Sequence, residues 1–326
     1  MGRYLVRRSF SSLVTLFGVL TLVFFLVRLH PGDVSLLYDD PGMDDAAREA
    51  IRRAYGLDQP LASQYVLFLA STLRLEFGSS FSHHRPVAQV IAETIPLTAL
   101  LAGAGLFVEL LAGTGLALLL DRRRAAGRGT IAGTCVLALH SIPSFWLGLV
   151  LVAVFAHGLG LLPPSGAGPP GAAAVHLVDR LRHLLLPAAT LGLAGAPAIA
   201  RHLAASLERV SSADFVRTAR AKGLSPRAVL LRHALKPALL PVVTIVGLSL
   251  PLLVSGALVV EVVFAWPGMG RLAINALHAR DYPLVIACTA VAGAAVVAGG
   301  LVADLVHAAI DPRVRDAHSS DRVGRP

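Results

Sequence analysis

Hydrophobic residues in this chain gather in six long, nearly uninterrupted runs, and polar residues collect between them. A helix needs roughly 20 apolar residues to cross the hydrocarbon core of a membrane. The six runs cover residues 9–27, 97–120, 131–156, 184–200, 238–260 and 284–307. The pattern therefore predicts an all-α integral membrane protein with six transmembrane helices, of which the fourth, with Pro187 and Pro197, is the shortest.

Composition favours a membrane protein over a soluble one. Charged residues make up only 15% of the chain, whereas about 25% is usual in a soluble domain, and the mean hydropathy is +0.68. The formal net charge of +9 could indicate nucleic-acid binding, but in so apolar a chain the positive-inside rule explains it better. Cys135 and Cys288 each lie in an apolar run, so we expect neither a disulfide framework nor a cysteine metal site.

The distribution of Lys and Arg predicts the orientation in the membrane. With the N-terminus in the cytosol, 19 of the 29 basic residues fall in cytosolic segments, and this bias places both termini in the cytosol. The first apolar run follows Arg3, Arg7 and Arg8 but is longer than the core of a secretory signal. We interpret it as an uncleaved anchor.

Three regions follow from these boundaries. Residues 1–95 form an N-terminal anchor helix and an extracytoplasmic helical segment, residues 96–310 a domain of five membrane helices, and residues 311–326 a cytosolic tail. In the extracytoplasmic segment, helix start and stop signals predict one helix over 44–56 and another over 60–73. We expect these helices to pack on the mouth of the bundle, since they have too little apolar surface to fold alone.

The most informative cytosolic segment is residues 213–241, named the elbow below. Ser211 or Ser212 can cap a first short helix, and Gly223 tolerates the left-handed conformation that ends such a helix. The Ser-Pro dipeptide at 225–226 then starts a second helix, because proline fits the first helical position. The elbow is therefore predicted to be two short helices with a sharp joint.

One face of the first elbow helix has a mixed chemistry. Phe215, Thr218, Ala219 and Lys222 have helical spacing, so they share a narrow face with an aromatic ring, small residues and a charge. A bent, basic and partly apolar element outside the bilayer suits docking to another protein. The alternative is an ordinary positively charged loop that only fixes topology, and the residues by themselves leave both hypotheses open.

Motifs for catalysis are missing from the sequence. The chain has no G-x-x-x-x-G-K-[ST] phosphate loop, no G-x-S-x-G and no H-E-x-x-H. We therefore expect no enzyme and no cofactor bound by this chain. The pair His83–His84 has no nearby carboxylate or thiolate partner, which favours a solvated loop over a metal site.

Two carboxylates lie at or near membrane depth. Glu109 falls near the middle of the second apolar run, and Glu261 closes the fifth run on the outer side. Burying a charge there costs about 3 kcal/mol or more, so such residues are candidates for function. Both are candidates for a translocation path. For Glu109 the alternative is a protonated or hydrogen-bonded carboxyl that joins two helices.

Eight sequence blocks stand in one consistent order along nearly the full chain. They are HPGD (30–33), GLDQPLASQY (56–65), FGSSFSHHRPV (77–87), FVRTARAKGLS (215–225), HALKPALLPVVTIVG (233–247), EVVFAWPGMGRL (261–272), RDYP (280–283) and DPRVR (311–315). Together they resemble the larger membrane subunit of the dipeptide/oligopeptide/nickel permease family of ATP-binding-cassette (ABC) importers. A single block is weakly specific, whereas eight in order are strongly specific.

The resemblance implies a type I ABC importer transmembrane-domain fold with six spans, both termini in the cytosol and a coupling loop at 201–237. In this family a coupling helix in that loop inserts in a groove of an ATPase subunit. The residues that correspond to this element are Phe215, Arg217, Thr218, Ala219, Lys222, Gly223, Leu224, Ser225 and Pro226. Arg217 stands at the usually acidic first place of the family's E-A-A-x-x-x-G motif, and Glu109 matches no family position.

The implied function is that of a permease subunit in the bacterial cytoplasmic (inner) membrane, forming half of a translocation path for di- and oligopeptides. The implied partners are a second homologous permease subunit, two cytosolic ATPase subunits that bind ATP and Mg²⁺, and an extracytoplasmic solute-binding protein. Nickel or another small polar solute is an alternative cargo. An ion-coupled secondary transporter or a receptor is a less favoured alternative class.

Overall fold

A computed structural model describes residues 2–29, 58–125, 129–169 and 175–310. Within these ranges every regular element is helical, apart from an isolated bridge between Ser79 and Pro86. The all-α fold class is therefore confirmed for this part of the chain. The predicted helix over 44–56 and the predicted tail lie outside the described residues.

Twelve α-helices and two short π-helical stretches make up the described part of the chain. The α-helices are α1 (Gly2–Leu29), α2 (Leu61–Leu73), α3 (Val87–Ala125), α4 (Gly129–His140), α5 (Ser144–Leu151), α6 (Leu177–Ser211), α7 (Asp214–Ala221), α8 (Pro226–Ala228), α9 (Leu235–Ala238), α10 (Leu240–Val263), α11 (Met269–His278) and α12 (Tyr282–Ile310). The π-helical stretches extend α5 and α8, over Val152–Gly158 and Val229–Ala234.

The contact between α3 and α6 is the most extensive in the bundle and runs along most of both helices. On α3 the buried positions recur every fourth residue from Leu101 to Ala117, as expected for a ridge that packs into a groove. A Cβ atom on Gly105 or Gly113 would lie 2.6 Å from a side chain of α6, and one on Gly192 would lie 2.7 Å from the Gly105 carbonyl oxygen. Glycine at these positions lets the two backbones approach closely.

The prediction that the third span is one continuous helix is wrong. Residues 131–156 are divided between α4 and α5, which meet at an angle of 96°. Pro143 has no amide hydrogen and disfavours a helical conformation at Ile142, so the helix ends at His140 and a new one starts at Ser144. The break leaves the hydropathy of the run unchanged, and the apolar pattern alone therefore missed it.

The fourth span is longer than predicted. Helix α6 continues through Pro187 and Pro197 as one element of 35 residues. Polar residues at both ends, such as Asp179 and Arg201, limit the apolar run to 17 residues but do not limit the helix. The prolines are accommodated because both lie on the buried face of α6, where neighbouring helices surround them.

The described helices are consistent with a multi-pass membrane protein. Three of them are long and apolar enough to cross a membrane, over Val87–Arg122, Leu177–Ser211 and Tyr282–Val302, and the bent pair α4–α5 makes a fourth if it counts as one span. Within the described part of the chain the number of candidate spans is thus three or four. The count of six stays a prediction.

The predicted helix after Pro60 is confirmed as α2, which packs on the end of α1. The ring centroid of Phe24 lies 5.2 Å from those of both Tyr65 and Phe68, and the Thr21 and Tyr65 hydroxyl groups share a hydrogen bond of 2.6 Å. Aromatic packing of this kind attaches α2 to the bundle by one side.

The C-terminal helices pack against the start of α3. Helix α12 contacts α1, α10 and α11. One apolar cluster joins α3, α11 and α12, and its buried members are Val87, Val90, Ile91, Met269, Ala276, Leu284, Ala287 and Cys288. This cluster lies beside Glu261 and Asp281, two of the buried carboxylates described below.

Candidate coupling surface and buried carboxylates

The elbow folds as the bent pair of helices that its sequence predicts. Gly223, after α7, has a φ of +78°, the left-handed conformation that glycine adopts without steric cost. Ser225 then caps α8, because its hydroxyl oxygen accepts a hydrogen bond of 3.4 Å from the Ala228 amide, and Pro226 occupies the first turn. The predicted joint and the predicted start of the second helix are both confirmed.

The predicted cap of α7 is wrong. The N-cap residue is Ala213, and no side chain caps this helix. Ser211 still belongs to α6, and the Ser212 hydroxyl donates a hydrogen bond of 2.8 Å to the Arg209 carbonyl oxygen. Because α6 continues to residue 211, the serine pair ends the preceding helix instead of starting the next one.

Helix α7 has an inner and an outer side. Val216 and Ala219 are buried and form a small apolar cluster with Val229 of the following π-helical stretch. Phe215, in contrast, is 49% exposed although its neighbour Val216 is 0% exposed. Ala219 follows Val216 by three residues, which places both on one face of the helix. The sequence pattern grouped Ala219 with the exposed face, and the structure places it in the inner packing.

The outer side of the elbow is basic with an apolar centre. The exposed members of the predicted coupling set are Phe215, Arg217, Thr218, Lys222, Gly223, Leu224, Ser225 and Pro226. Arg217 is 3.4 Å from Asp214, in an exposed pair of a type that contributes about 0–1 kcal/mol. An exposed aromatic ring on a segment rich in basic residues suits a partner that has an apolar groove with acidic edges.

Glu109 lies inside the contact between α3 and α6. Its side chain is 5% exposed, and its carboxyl carbon lies 2.5 Å from the position of a Cβ atom on Gly195. Among the described residues none forms a hydrogen bond or an ion pair with this carboxyl group. Glu109 is thus enclosed by the chain's own helices, and its contribution to a path stays a prediction.

Glu261 is fully buried and binds the N-terminus of α11. Its Oε2 accepts hydrogen bonds from the Gly270 and Arg271 amides at 2.7 and 3.1 Å. Its Oε1 accepts one from the Thr98 hydroxyl of α3 at 2.7 Å, and the Thr98 oxygen in turn accepts one from the Met269 amide at 2.7 Å. A carboxylate at the first amides of a helix is stabilised by hydrogen bonds and by the helix dipole.

Glycines beside Glu261 provide the space for its carboxylate. A Cβ atom on Gly268 would lie 2.0 Å from Glu261 Oε1, and one on Gly270 would lie 2.6 Å from the Leu258 Cα atom. The φ of Gly268 is −99°, which any residue can adopt. Glycine is therefore required at position 268 because of space and not because of backbone conformation.

Asp281, between α11 and α12, is a second fully buried carboxylate, which the sequence pattern did not identify. Its Oδ2 accepts hydrogen bonds from the Ser80 hydroxyl and from the Ser82 amide and hydroxyl, the last two at 2.9 and 2.7 Å. Its Oδ1 accepts one from the Leu284 amide at 3.3 Å. Burial raises the pKa of Asp281, but the hydrogen bonds from Ser80 and Ser82 outweigh it and hold the pKa below its ordinary value. In the sequence, Asp281 stood out only as a member of the RDYP block at 280–283.

The histidine pair belongs to the loop that Asp281 holds. His83 and His84 are both exposed, and the His83 amide donates a hydrogen bond of 3.1 Å to Ser80 Oγ. No group of three or more His, Cys, Asp or Glu side chains that could hold a metal ion occurs among the residues that the structure describes. Among the described residues, His83 and His84 therefore form part of an exposed turn.

Two family models together match nearly the whole chain. The model described as "Binding-protein-dependent transport system inner membrane component" matches residues 92–316. The model for the N-terminal part of such membrane components matches residues 1–102. The overlap lies at the start of α3.

Curated relatives match along their full length. The chain is 35% identical over 316 residues to the oligopeptide transport system permease protein AppB of Bacillus subtilis (strain 168), covering 96% of this chain and 99% of the relative. It is 36% identical over 315 residues to the glutathione transport system permease protein GsiC of Escherichia coli (strain K12), covering 97% of this chain and 99% of the relative.

The fold agrees with that of a solved ABC transporter. A chain from the inward-facing MetNI methionine ABC transporter superposes with a TM-score of 0.53 at 17% identity, covering 68% of this chain and 97% of that one. Identity this low shows likeness of fold alone, whereas the family models and the relatives show the family. The chain therefore belongs to the binding-protein-dependent transport system inner membrane components, as a multi-pass permease subunit and not as an enzyme.

Proposed function

We propose that this protein forms half of the translocation path for di- and oligopeptides in a binding-protein-dependent ABC importer. The end-to-end similarity to permeases named for oligopeptides and for glutathione, itself a tripeptide, carries the cargo part of the proposal. The exposed basic surface of the elbow carries the coupling part. Nickel or another small polar solute is the alternative cargo within the same family.

The proposed complex has a second, homologous permease subunit, so that the two membrane subunits form a heterodimer. Two cytosolic ATPase subunits bind ATP and Mg²⁺ and receive the elbow, and an extracytoplasmic solute-binding protein delivers the peptide. ATP binding closes the ATPase subunits and displaces α7, and the packed helices transmit this displacement to the bundle. Nucleotide drives the change because its affinity differs between the two conformations.

The proposed topology has six spans and both termini in the cytosol. It is supported by the excess of Lys and Arg in alternate segments and by the exposure of the basic residues on the elbow. The proposed regions remain 1–95, 96–310 and 311–326. Within the second region the coupling loop at 201–237 includes the last turns of α6.

Two carboxylates are proposed to contribute to the path in different ways. Glu109 is the candidate for direct contact with the cargo, because it lies at mid-membrane and no described residue pairs with it. Cargo would reach it only when α3 and α6 separate locally at Gly195. Glu261 is proposed to shape the outer mouth, because its oxygens already accept hydrogen bonds.

The coupling proposal is tested by reversing two exposed charges, with Arg217→Glu and Lys222→Glu in one variant. We expect peptide uptake in reconstituted complexes to fall at least about tenfold, because like charges at a docking surface cost several kcal/mol. Membrane insertion, measured by protease protection, should remain. Arg74→Glu with Arg182→Glu is the matched control, since it reverses two exposed charges outside the coupling loop at 201–237. Normal uptake and normal ATPase stimulation in the elbow variant would contradict the proposal.

The cargo is tested separately by deleting the chain and measuring uptake of labelled dipeptides, oligopeptides and nickel. Loss of peptide uptake alone supports the proposal. Loss of nickel uptake with normal peptide uptake would show that the cargo is nickel and would leave the coupling proposal intact.

A further inference from the structure

We infer that Glu261 and Asp281 are positioning residues, which fasten the short helix α11 to α3 and keep the outer ends of α3, α10, α11 and α12 together throughout the transport cycle. The inference rests on the proposed function, because it assigns these residues a part in transport without contact to the cargo. It concerns the side of the bundle opposite to the elbow.

The first fastening joins three helices at one carboxylate. Glu261 is on α10. Its carboxylate accepts hydrogen bonds from two amides in the first turn of α11 and from the hydroxyl group of Thr98 on α3. The Thr98 hydroxyl group serves both partners, since it donates to Glu261 and accepts from the Met269 amide. Close beside it, the Trp266 indole nitrogen donates to the Leu97 carbonyl oxygen at 3.0 Å.

The second fastening joins the far end of α11 to the loop before α3. Asp281 follows α11 by three residues and accepts the Leu284 amide in the first turn of α12. Ser80 and Ser82 donate to the same carboxylate from a loop that leads into α3. One end of α11 is therefore joined to α3, and the other end to the loop before α3, in each case through a buried acid.

Helix α11 is held by these contacts and by the apolar cluster that joins it to α3 and α12. It has ten residues, and among them Met269 and Ala276 are buried; a helix this short is not stable alone. Separating α3 from α10 and α11 would remove the hydrogen bond from Thr98 to Glu261 and the one from the Met269 amide to Thr98. Separating the loop before α3 would remove the hydrogen bonds from Ser80 and Ser82 to Asp281, and hydrogen bonds to an ionised group are roughly twice as strong as neutral ones. We therefore expect this contact to persist when other contacts of the bundle change.

The isosteric substitution Thr98→Val tests the positioning role, because it removes both hydrogen bonds of the hydroxyl group and leaves the side-chain volume nearly unchanged. Reconstituted with its partner subunits, this variant should lose at least fivefold in peptide transport per ATP hydrolysed. Thr94→Val is the matched control, since the Thr94 hydroxyl binds only the Val90 carbonyl oxygen of its own helix among the described residues. If ATPase and transport fall together with the amount of assembled complex, Thr98 only supports folding, and the inference is wrong.

A disulfide tests the claim that the contact persists. In a background of Cys135→Ser and Cys288→Ala, the pair Thr98→Cys and Met269→Cys replaces the hydrogen bond between α3 and α11 with a covalent link. We expect the oxidised complex to transport at least as well as its reduced form. Transport that stops on oxidation and returns with reductant would show that the contact opens, which would overturn the inference.

The two proposals fail in distinguishable ways. Failure of the wild-type complex to transport any peptide would remove the proposed cargo, while the effect of the disulfide on nucleotide-driven ATPase activity would still be measurable. An oxidised pair that blocks binding-protein-stimulated ATPase activity would remove the inference alone.

Discussion

The two ends of the bundle use charge in opposite ways. At the end opposite to the elbow, called the outer end below after the proposed topology, two acidic side chains are fully buried, and the chain itself supplies their hydrogen-bond donors. At the elbow, the charged side chains other than Asp214 are basic, and Arg217 has only the weak exposed pair with Asp214 among the described residues. The outer end is thus complete within one chain, whereas the elbow presents groups that another protein can pair with.

The two ends also differ in how far apart in the sequence their contacting residues lie. The hydrogen bonds of Glu261 and Asp281 to α3 and its preceding loop join residues 163 and 199–201 positions apart. The inner packing of the elbow, by contrast, joins Val216 to Val229 within one segment. The outer end is therefore fixed by the global fold, whereas the first helix of the elbow packs locally. The second half of the elbow joins the main core, where Ala234 and Ala238 cluster with Ala117 and Leu120 of α3.

The largest effect is expected from Gly268→Ala, which disrupts the hydrogen bonds of Glu261 at the outer end. The added methyl group would overlap Glu261 Oε1, at 2.0 Å, and displace a buried carboxylate from its donors. We expect a loss of about 3 kcal/mol or more of folding free energy, measured as a lower thermal midpoint of the purified complex and as lost transport.

Gly103→Ala is the control for that substitution, because an added Cβ atom there meets nothing within 4 Å and alanine favours the helix by about 1 kcal/mol. A Gly268→Ala variant as stable as Gly103→Ala would show that the hydrogen bonds of Glu261 do not depend on the space at position 268.

An intermediate effect is expected from the adjacent pair Phe215 and Val216. Val216→Ala should destabilise the elbow by about 2 kcal/mol, because it empties space in a buried cluster. Phe215→Ala should leave stability within about 0.5 kcal/mol but weaken binding to the ATPase subunits by about tenfold or more, as expected for an aromatic residue at the centre of an interface.

Thermal denaturation of the isolated subunit and titration of its binding to the ATPase subunits separate the two effects. The same loss in both measurements for both variants would mean that Phe215 is a packing residue and not a docking one.

The smallest effect is expected at the outer end and only in acid. Because the pKa of Asp281 is below its ordinary value of 3.8, the fold favours the ionised carboxylate. Its stabilisation is therefore complete above the ordinary value and is lost as the pH falls through the still lower pKa of the folded state.

The thermal midpoint of the wild-type subunit should thus fall more steeply than that of Asp281→Asn below about pH 4. Asp58→Asn, at an exposed acid, should behave as wild type. Parallel curves for Asp281→Asn and wild type would mean that the carboxylate does not contribute through its charge.

Sequence patterns predicted the local features well and the long-range ones poorly. The joint at Gly223 and the cap at Ser225 depend on neighbouring residues, so single positions were enough to predict them. The caps at Ser211 and Ser212 failed because the end of α6 depends on packing and not on the local sequence.

The outer network could not be predicted because it depends on residues far apart in sequence. The sequence indicated Glu261 as an acid near membrane depth, but nothing in it shows that Thr98 and Gly268 lie against the carboxylate. Likewise, Ala219 shares its helical spacing with Phe215, and only tertiary packing decides that it faces Val229.

The unbroken length of α6 has a mechanical consequence. Its 35 residues extend about 50 Å at 1.5 Å per residue, and its last residue, Ser211, is three positions from the first residue of α7. A tilt of about 5° at that end would carry the other end sideways by about 4 Å, by the same geometry. A modest movement of a docked partner can therefore be amplified across the membrane by the lever arm of one helix, without any hinge inside it.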